Sequence, residues 1–267
     1  DWATVLLLLA MYALLFGNAV LHARAPLALP IHVLISTVAI HLAFTIWHEA
    51  AHGNVFAHRR LNDLVGALGI FPYTPPFFLQ KFIHLRHHAL LNQPEDPNFI
   101  YIDGPLWTIP ARYLRALRYA REALGDDPRS PGERRWDGAA TMTMVAIYAI
   151  AWWQGFLLDL VWLWLLPMIL AKLVLDAYIN YLPHVGLPPD RFRGTRIVAL
   201  PWLTPWVLGH NYHAVHHLWP RVPWHRYASV FRERRGYLEE HGVPIQHSLS
   251  PEPARGVVRE PGTDLPR

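Results

Sequence analysis

The chain has 267 residues, 52% of them hydrophobic, with 17 histidines, 12 tryptophans, no cysteine and a formal charge of +4. The missing thiols exclude disulfides, thiolate-bound metals, iron–sulfur clusters and cysteine nucleophiles. The basic excess does not point to nucleic acid, because the lysines and arginines sit between long apolar runs rather than along one polar face, as in a membrane protein.

Residues 3 to 21 and 27 to 47 are apolar runs separated by a short turn with Arg24 and Pro26. Two later runs cover 139 to 153 and 156 to 175. Crossing a bilayer takes about 20 apolar residues, roughly 17 to 25. The first, second and fourth runs reach that length, and the third does so if it begins near Trp136. No basic stretch precedes the first run and no small-residue cleavage site is clear, so it reads as a span rather than a signal peptide. Arg24 stands alone between the first two runs, and no lysine or arginine lies around Gln154 and Gly155. Apart from Lys172, the remaining cations all fall in segment 49 to 138 or after residue 175. Two helical hairpins with both basic segments on the cytoplasmic side satisfy the positive-inside rule. The expected fold is an all-α integral membrane protein: four transmembrane helices and a cytoplasmic cap, forming one domain over residues 1 to 240. The expected location is the bacterial inner membrane, with the C-terminus cytoplasmic. From Gly242 onward the chain is rich in proline, glycine and charge, which predicts a disordered tail over 241 to 267.

The histidines fall into groups. The second run enters "WHEAAH", with His48 and His52 four apart on one helical face. "HLRHH" places His84, His87 and His88 at i, i+3 and i+4, and "HAVHH" repeats that spacing with His213, His216 and His217. After the fourth run, "NYLPH" sets Asn180 and His184 four apart. The hairpin topology brings all four groups to one face, where they can converge. Nine imidazoles exceed the four ligands of a tetrahedral site and suggest two metals. All-nitrogen ligation suits zinc, copper, iron or nickel, and placement at the end of a membrane bundle favours iron and oxygen chemistry over a structural zinc cluster.

These motifs resemble the membrane fatty acid desaturase and hydroxylase superfamily, whose pattern is HxxxH, HxxHH and HxxHH. The similarity runs from about residue 30 to 235. "YLPHVGLP" and "NYHAVHHLWPRVPWHRY" also resemble bacterial beta-carotene hydroxylases of the same superfamily. The resemblance implies two iron ions held by His48, His52, His84, His87, His88, His213, His216 and His217. His184 would be a further direct ligand and Asn180 a ligand through water. It implies O2 as co-substrate and a lipid substrate drawn from the bilayer. Electrons would come from a separate redox protein of ferredoxin, rubredoxin or cytochrome type, since no fused haem domain is visible. The expected reaction is desaturation or hydroxylation of a fatty acyl chain, with carotenoid ring hydroxylation or ketolation as the alternative. A membrane zinc hydrolase using Glu49 as base and a metal-binding transporter are the competing classes.

Other residues carry weaker expectations. His210 is expected to hydrogen-bond a ligand or carboxylate beside the third box. Glu49 and Asp176 each adjoin a ligand group, and either orient an imidazole or cap a helix. Asp96, between Pro94 and Pro97, is expected to end the helix of the second box rather than to orient an imidazole. His41 is expected to hydrogen-bond a neighbouring helix. Arg112, Arg115 and Arg118 recur every third residue in an amphipathic segment, expected either on the cytoplasmic leaflet or as a docking face for an acidic donor. "FPYTPPFF" (71 to 78) cannot be regular helix and is expected to shape a substrate entrance.

Overall fold

A computed structural model describes residues 1–74, 76–113 and 127–251. Helix α1 (Trp2–Arg24) and helix α2 (Leu29–Ala51) form an antiparallel hairpin. Their polar residues satisfy one another, as apolar surroundings require. Asn18 donates to the His32 carbonyl and the Ser36 hydroxyl, each at 2.9 Å, and its own oxygen lies 2.7 Å from His32 Nδ1. His41 pairs with the Tyr178 hydroxyl at 3.0 Å, so it ties two helices together as expected. The last turns of α2 are buried from Ala43 to Ala51, making this helix the axis of the bundle.

Helix α3 (Arg59–Ile70) folds back on α2, capped at its start by His58. Gly66 and Gly69 permit the close approach: a Cβ at Gly66 would stand 2.2 Å from the Phe77 ring, and one at Gly69 2.5 Å from Ile46. A 3₁₀ turn (Phe71–Tyr73) leads to Thr74, and helix α4 (Phe77–Leu90) carries the second box. The break predicted for 71 to 78 therefore ends at Pro76. The free N–H groups of Phe78 and Leu79 donate to the Asp137 carboxylate at 3.0 and 2.9 Å, anchoring the start of α4. The one-turn helix α5 (Phe99–Ile102) follows.

Helix α6 (Pro131–Gln154) opens with a capping box of Ser130 and Glu133 and closes at Gly155, whose φ is +81°. It turns directly into α7 (Leu157–Tyr181), which contains π-helical turns at Val161–Leu165 and Asp176–Tyr181. Helices α1, α2 and α7 are long and apolar enough to cross a membrane. Helix α6 has comparable length, but its first turns hold Glu133, Arg134, Arg135 and Asp137. At the end remote from the boxes, His22 of α1 pairs with Asp159 of α7 at 3.1 Å.

The remaining described chain adds a short sheet and two helices. Strand β1 (Ile197–Val198) pairs in parallel with β2 (Ile245–Gln246), and between them lie helices α8 (His213–Leu218) and α9 (Tyr227–Glu240). The segment expected to form a tail from 241 includes β2. Ile197 and Ala199 donate to the carbonyls of Pro244 and Gln246, each at 2.8 Å, and Val243 and Gln246 are buried. Residues 252–267 lie outside the described residues, as do Arg115 and Arg118. Arg112 does not face a leaflet. It is buried and donates to the carbonyls of Ile100, Tyr101 and Pro105 and to the Thr108 hydroxyl.

Candidate metal centre

Four elements deliver the nine histidines to one place. Helix α2 supplies His48 and, at its C-cap, His52; one face of α4 supplies His84, His87 and His88. His184 follows the π turn that ends α7, and α8 supplies His213, His216 and His217. They separate into two tetrads, His48, His52, His84 and His216, and His87, His184, His213 and His217. Within each, the ligand nitrogens lie within 4.8 Å of one another. His88 stands between the tetrads. Its Nε2 is 2.9 Å from His216 and 3.2 Å from His84, and its ring stacks on His217 at 4.2 Å.

Burial pushes the pKa values of His84, His88, His184, His213, His216 and His217 well below the usual 6.5, and neighbouring imidazoles lower them further. His52 is pushed down to about 4 by burial and then by the Lys81 charge. These rings are therefore neutral at pH 7, the form that binds metal.

The outer nitrogens decide where the protons sit. His87 Nδ1 lies 2.9 Å from both oxygens of Asp96, and His184 Nδ1 lies 3.2 Å from the side-chain oxygen of Asn92. Both partners are acceptors, so Nδ1 carries the proton and Nε2 presents a lone pair inward. His184 Nε2 is buried without a hydrogen-bond partner among the described residues. The inward Nε2 atoms of His48 and His216 are 3.0 Å apart, those of His52 and His84 2.7 Å, and those of His213 and His217 3.1 Å. His84 and His216 each face two such neighbours. Neutral imidazoles have one proton each, and here several are committed outward. Converging lone pairs in a dry site call for cations, and the donor set fits two metal ions.

Glu49 and Tyr227 support the first tetrad. The Tyr227 hydroxyl is 3.3 Å from Glu49 Oε1 and 3.1 Å from His216 Nδ1, and Glu49 Oε1 is 3.7 Å from His48 Nδ1. Asn54 donates to the second Glu49 oxygen at 3.1 Å. Glu49 thus reaches a box imidazole through the Tyr227 hydroxyl, while His48 Nδ1 has no hydrogen-bond partner among the described residues. Asp176 orients no imidazole. It accepts from Asn180 Nδ2 at 2.7 Å, from Lys172 at 2.9 Å and from the Tyr113 hydroxyl at 2.5 Å. Asn98 donates to Asn180 at 3.1 Å, so the Asn180 amide is held at both ends. His210 Nε2 lies 3.0 Å from the Thr45 hydroxyl, and its ring meets that of His48 edge-on at 5.3 Å.

Asp96 also departs from expectation. Helix α4 already ends at Leu90. Besides holding His87, Asp96 accepts from the backbone N–H groups of Asn92 and Asn98 at 2.9 and 2.8 Å. Asn92, Asp96 and Tyr227 escaped the spacing argument. Their one signal is the polar cluster "LNQPEDPNF" directly behind the second box and the tyrosine of "WHRY" behind the third. Asp96→Asn is expected to weaken metal retention about tenfold, the low end for a partner behind a ligand. Competition with a chelator measures it, and unchanged retention would reduce Asp96 to a loop-former.

A cavity of about 340 Å³ runs beside both tetrads. His84, His87 and His213 form its metal side, Phe44, Trp47 and Ile179 an apolar wall, and Tyr73, Lys172, Asp176 and Asn180 a polar one.

Residues 24–249 match the family model described as fatty acid desaturase. The chain belongs to the fatty acid desaturase family. It is 32% identical over 197 residues to a beta-carotene ketolase of Paracoccus sp. (strain N81106 / MBIC 01143), covering 70% of this chain and 72% of that protein. It is 25% identical over 251 residues to the chloroplastic omega-6 fatty acid desaturase of Spinacia oleracea, covering 83% of this chain and 46% of that protein. A fatty acid desaturase of Bacillus subtilis (strain 168) is 25% identical over 226 residues, covering 67% and 60%. This fatty acid desaturase family member is an oxidoreductase and an integral membrane protein. The hydrolase and transporter readings fall with that assignment.

Proposed function

We propose that the chain is an O2-dependent di-iron oxidase that attacks an unactivated C–H bond on the end ring of a carotenoid. The observation that carries the reading is the pair of histidine tetrads flanking one mostly apolar cavity. Two irons, when bound, supply the activation of O2 and the oxidising power. His48, His52, His84 and His216 would hold one and His87, His184, His213 and His217 the other, with His88 between them and Asn180 acting through water. Asp96, Asn92 and the Glu49–Tyr227 pair fix ring orientation, and the apolar wall excludes water from the reacting carbon. A cavity near the low end of the usual 300–1,000 Å³ range takes the end of a long apolar molecule rather than its whole length. The similarity to a ketolase over comparable shares of both chains favours a carotenoid. The desaturase similarity across 83% of this chain favours the second reading, oxidation of a fatty acyl chain.

In this reading α6 is also a span, the third in chain order, antiparallel to α7 and exposing Trp152 and Trp153 near its remote end. The basic segments then share the metal side, which supports a cytoplasmic metal side and C-terminus at a bacterial inner membrane. Electrons arrive from a separate redox protein docking there. Expression in a host that accumulates β-carotene is expected to yield oxygenated ring products in an O2-dependent manner, with two irons per purified chain. New double bonds in the membrane lipids with unchanged pigments would transfer the assignment to acyl chains. One zinc per chain and oxygen-independent turnover would sink both.

A further inference from the structure

The polar wall of the cavity is costly for a site that takes a pure hydrocarbon. Lys172 and Asp176 lie one turn apart in the bilayer-spanning α7, where ionisable side chains mark function by default. Their own hydrogen bonds are met. Lys172 Nζ contacts both Asp176 oxygens, at 2.9 and 3.2 Å, and lies 5.3 Å over the Tyr101 ring and 5.0 Å over that of Tyr113. The Tyr73 hydroxyl differs. It is buried, lines the same cavity and has no hydrogen-bond partner among the described residues. Burial pushes its pKa up, while Lys172 and Asp176 act on it with opposite signs, so it remains a protonated donor. A buried donor with nothing to donate to calls for a ligand or an ordered water. Thr74, the next residue, sits at φ +74°, an unfavourable conformation for a β-branched side chain.

We propose that the Tyr73 hydroxyl, on the same cavity wall as the Lys172–Asp176 pair, is a specificity subsite that donates a hydrogen bond to an oxygen atom already carried by the substrate's end ring. The cavity abuts His84, His87 and His213, so that oxygen, a hydroxyl or a carbonyl, lies within a few bonds of the carbon to be oxidised. The preferred substrate is then a partly oxidised ring, the product of an earlier oxygenation, rather than the parent hydrocarbon. This inference rests on the carotenoid reading of the site.

The test is equilibrium binding to the metal-loaded protein in lipid nanodiscs, followed by quenching of tryptophan emission. The probes are β-carotene and its 3,3′-dihydroxy derivative. The wild-type protein is expected to bind the dihydroxy compound about tenfold more tightly, the worth of one hydrogen bond to a desolvated donor. Tyr73→Phe is expected to bring the two affinities together, chiefly by weakening that for the dihydroxy compound. Equal affinities in the wild-type protein, as when Tyr73 holds only a water, overturn the subsite and leave the carotenoid reading standing. A preference that survives in Tyr73→Phe does the same. Binding of neither probe overturns the carotenoid reading and the subsite with it. The wild-type comparison needs no variant to fold.

Discussion

Replacing His87 by alanine is expected to strip metal from the second tetrad and abolish oxidation while the helical bundle stays folded. His87 is buried with its Nδ1 fixed on Asp96, and its ring lies 4.9 Å from that of His184 and 5.0 Å from that of His217. Its loss leaves three imidazoles, and an opening where the fourth donor stood. Disturbing a partner behind a ligand already costs about 10–100-fold, so loss of the ligand itself is expected to exceed about 100-fold in turnover. The fold has separate supports. Asp96 still accepts from the Asn92 and Asn98 backbones, and α4 stays anchored through Asp137. Metal analysis after purification, far-ultraviolet circular dichroism and O2 consumption separate the outcomes. Full metal and full turnover in the variant would reject the ligand assignment. Collapse of the helical signal would instead make His87 a folding residue.

The helices and boxes were legible because each depends on local spacing. Apolar runs gave the positions of α1, α2 and α7, with α7 continuing to Tyr181 beyond its run, and the box spacings named the tetrad residues other than His184, which came from its spacing to Asn180. What supports the boxes was not legible, because it depends on distance in space. Tyr227 reaches His216 from eleven residues away and Glu49 from a different helix. Asp96 was assigned the wrong task because one carboxylate both shapes the loop and holds His87, and only the first task has a sequence signature. Arg112 shares a period of three with its neighbours, yet the turn before it presents three carbonyls that draw its guanidinium inward. The π turn at Asp176–Tyr181 follows the apolar run, and nothing in "DAYINY" gives a sign of it, although it governs how Asp176 and Asn180 meet the cavity. Strand β2 is two residues long, too short for any alternation to betray it.

Asp176→Leu is expected to damage the fold more than any other single change on the polar wall. The carboxylate is an acceptor for three donors: the Lys172 ammonium, the Tyr113 hydroxyl and the Asn180 amide. Removing it leaves a cation inside a membrane span without its partner, and two neutral donors unmet. Breaking a buried pair by deleting one partner costs about 3–5 kcal/mol, and Lys172 belongs at the lower end because it opens onto the cavity. Against a total stability of roughly 5–15 kcal/mol, about 3 kcal/mol is a large share. Lys172→Met is expected to be milder, because the carboxylate keeps Tyr113 and Asn180. Combining the two removes both charges and is expected to recover much of the folded yield, a coupling that thermal unfolding of the four proteins in detergent would measure. Turnover should not recover with it, since Asn180 has still lost the oxygen that fixes its amide. If Asp176→Leu melts with the wild type, water in the cavity must already solvate Lys172. The pair would then be a wetted lining rather than a buried bridge, and the polarity of that wall would belong to the entrance rather than to the bilayer.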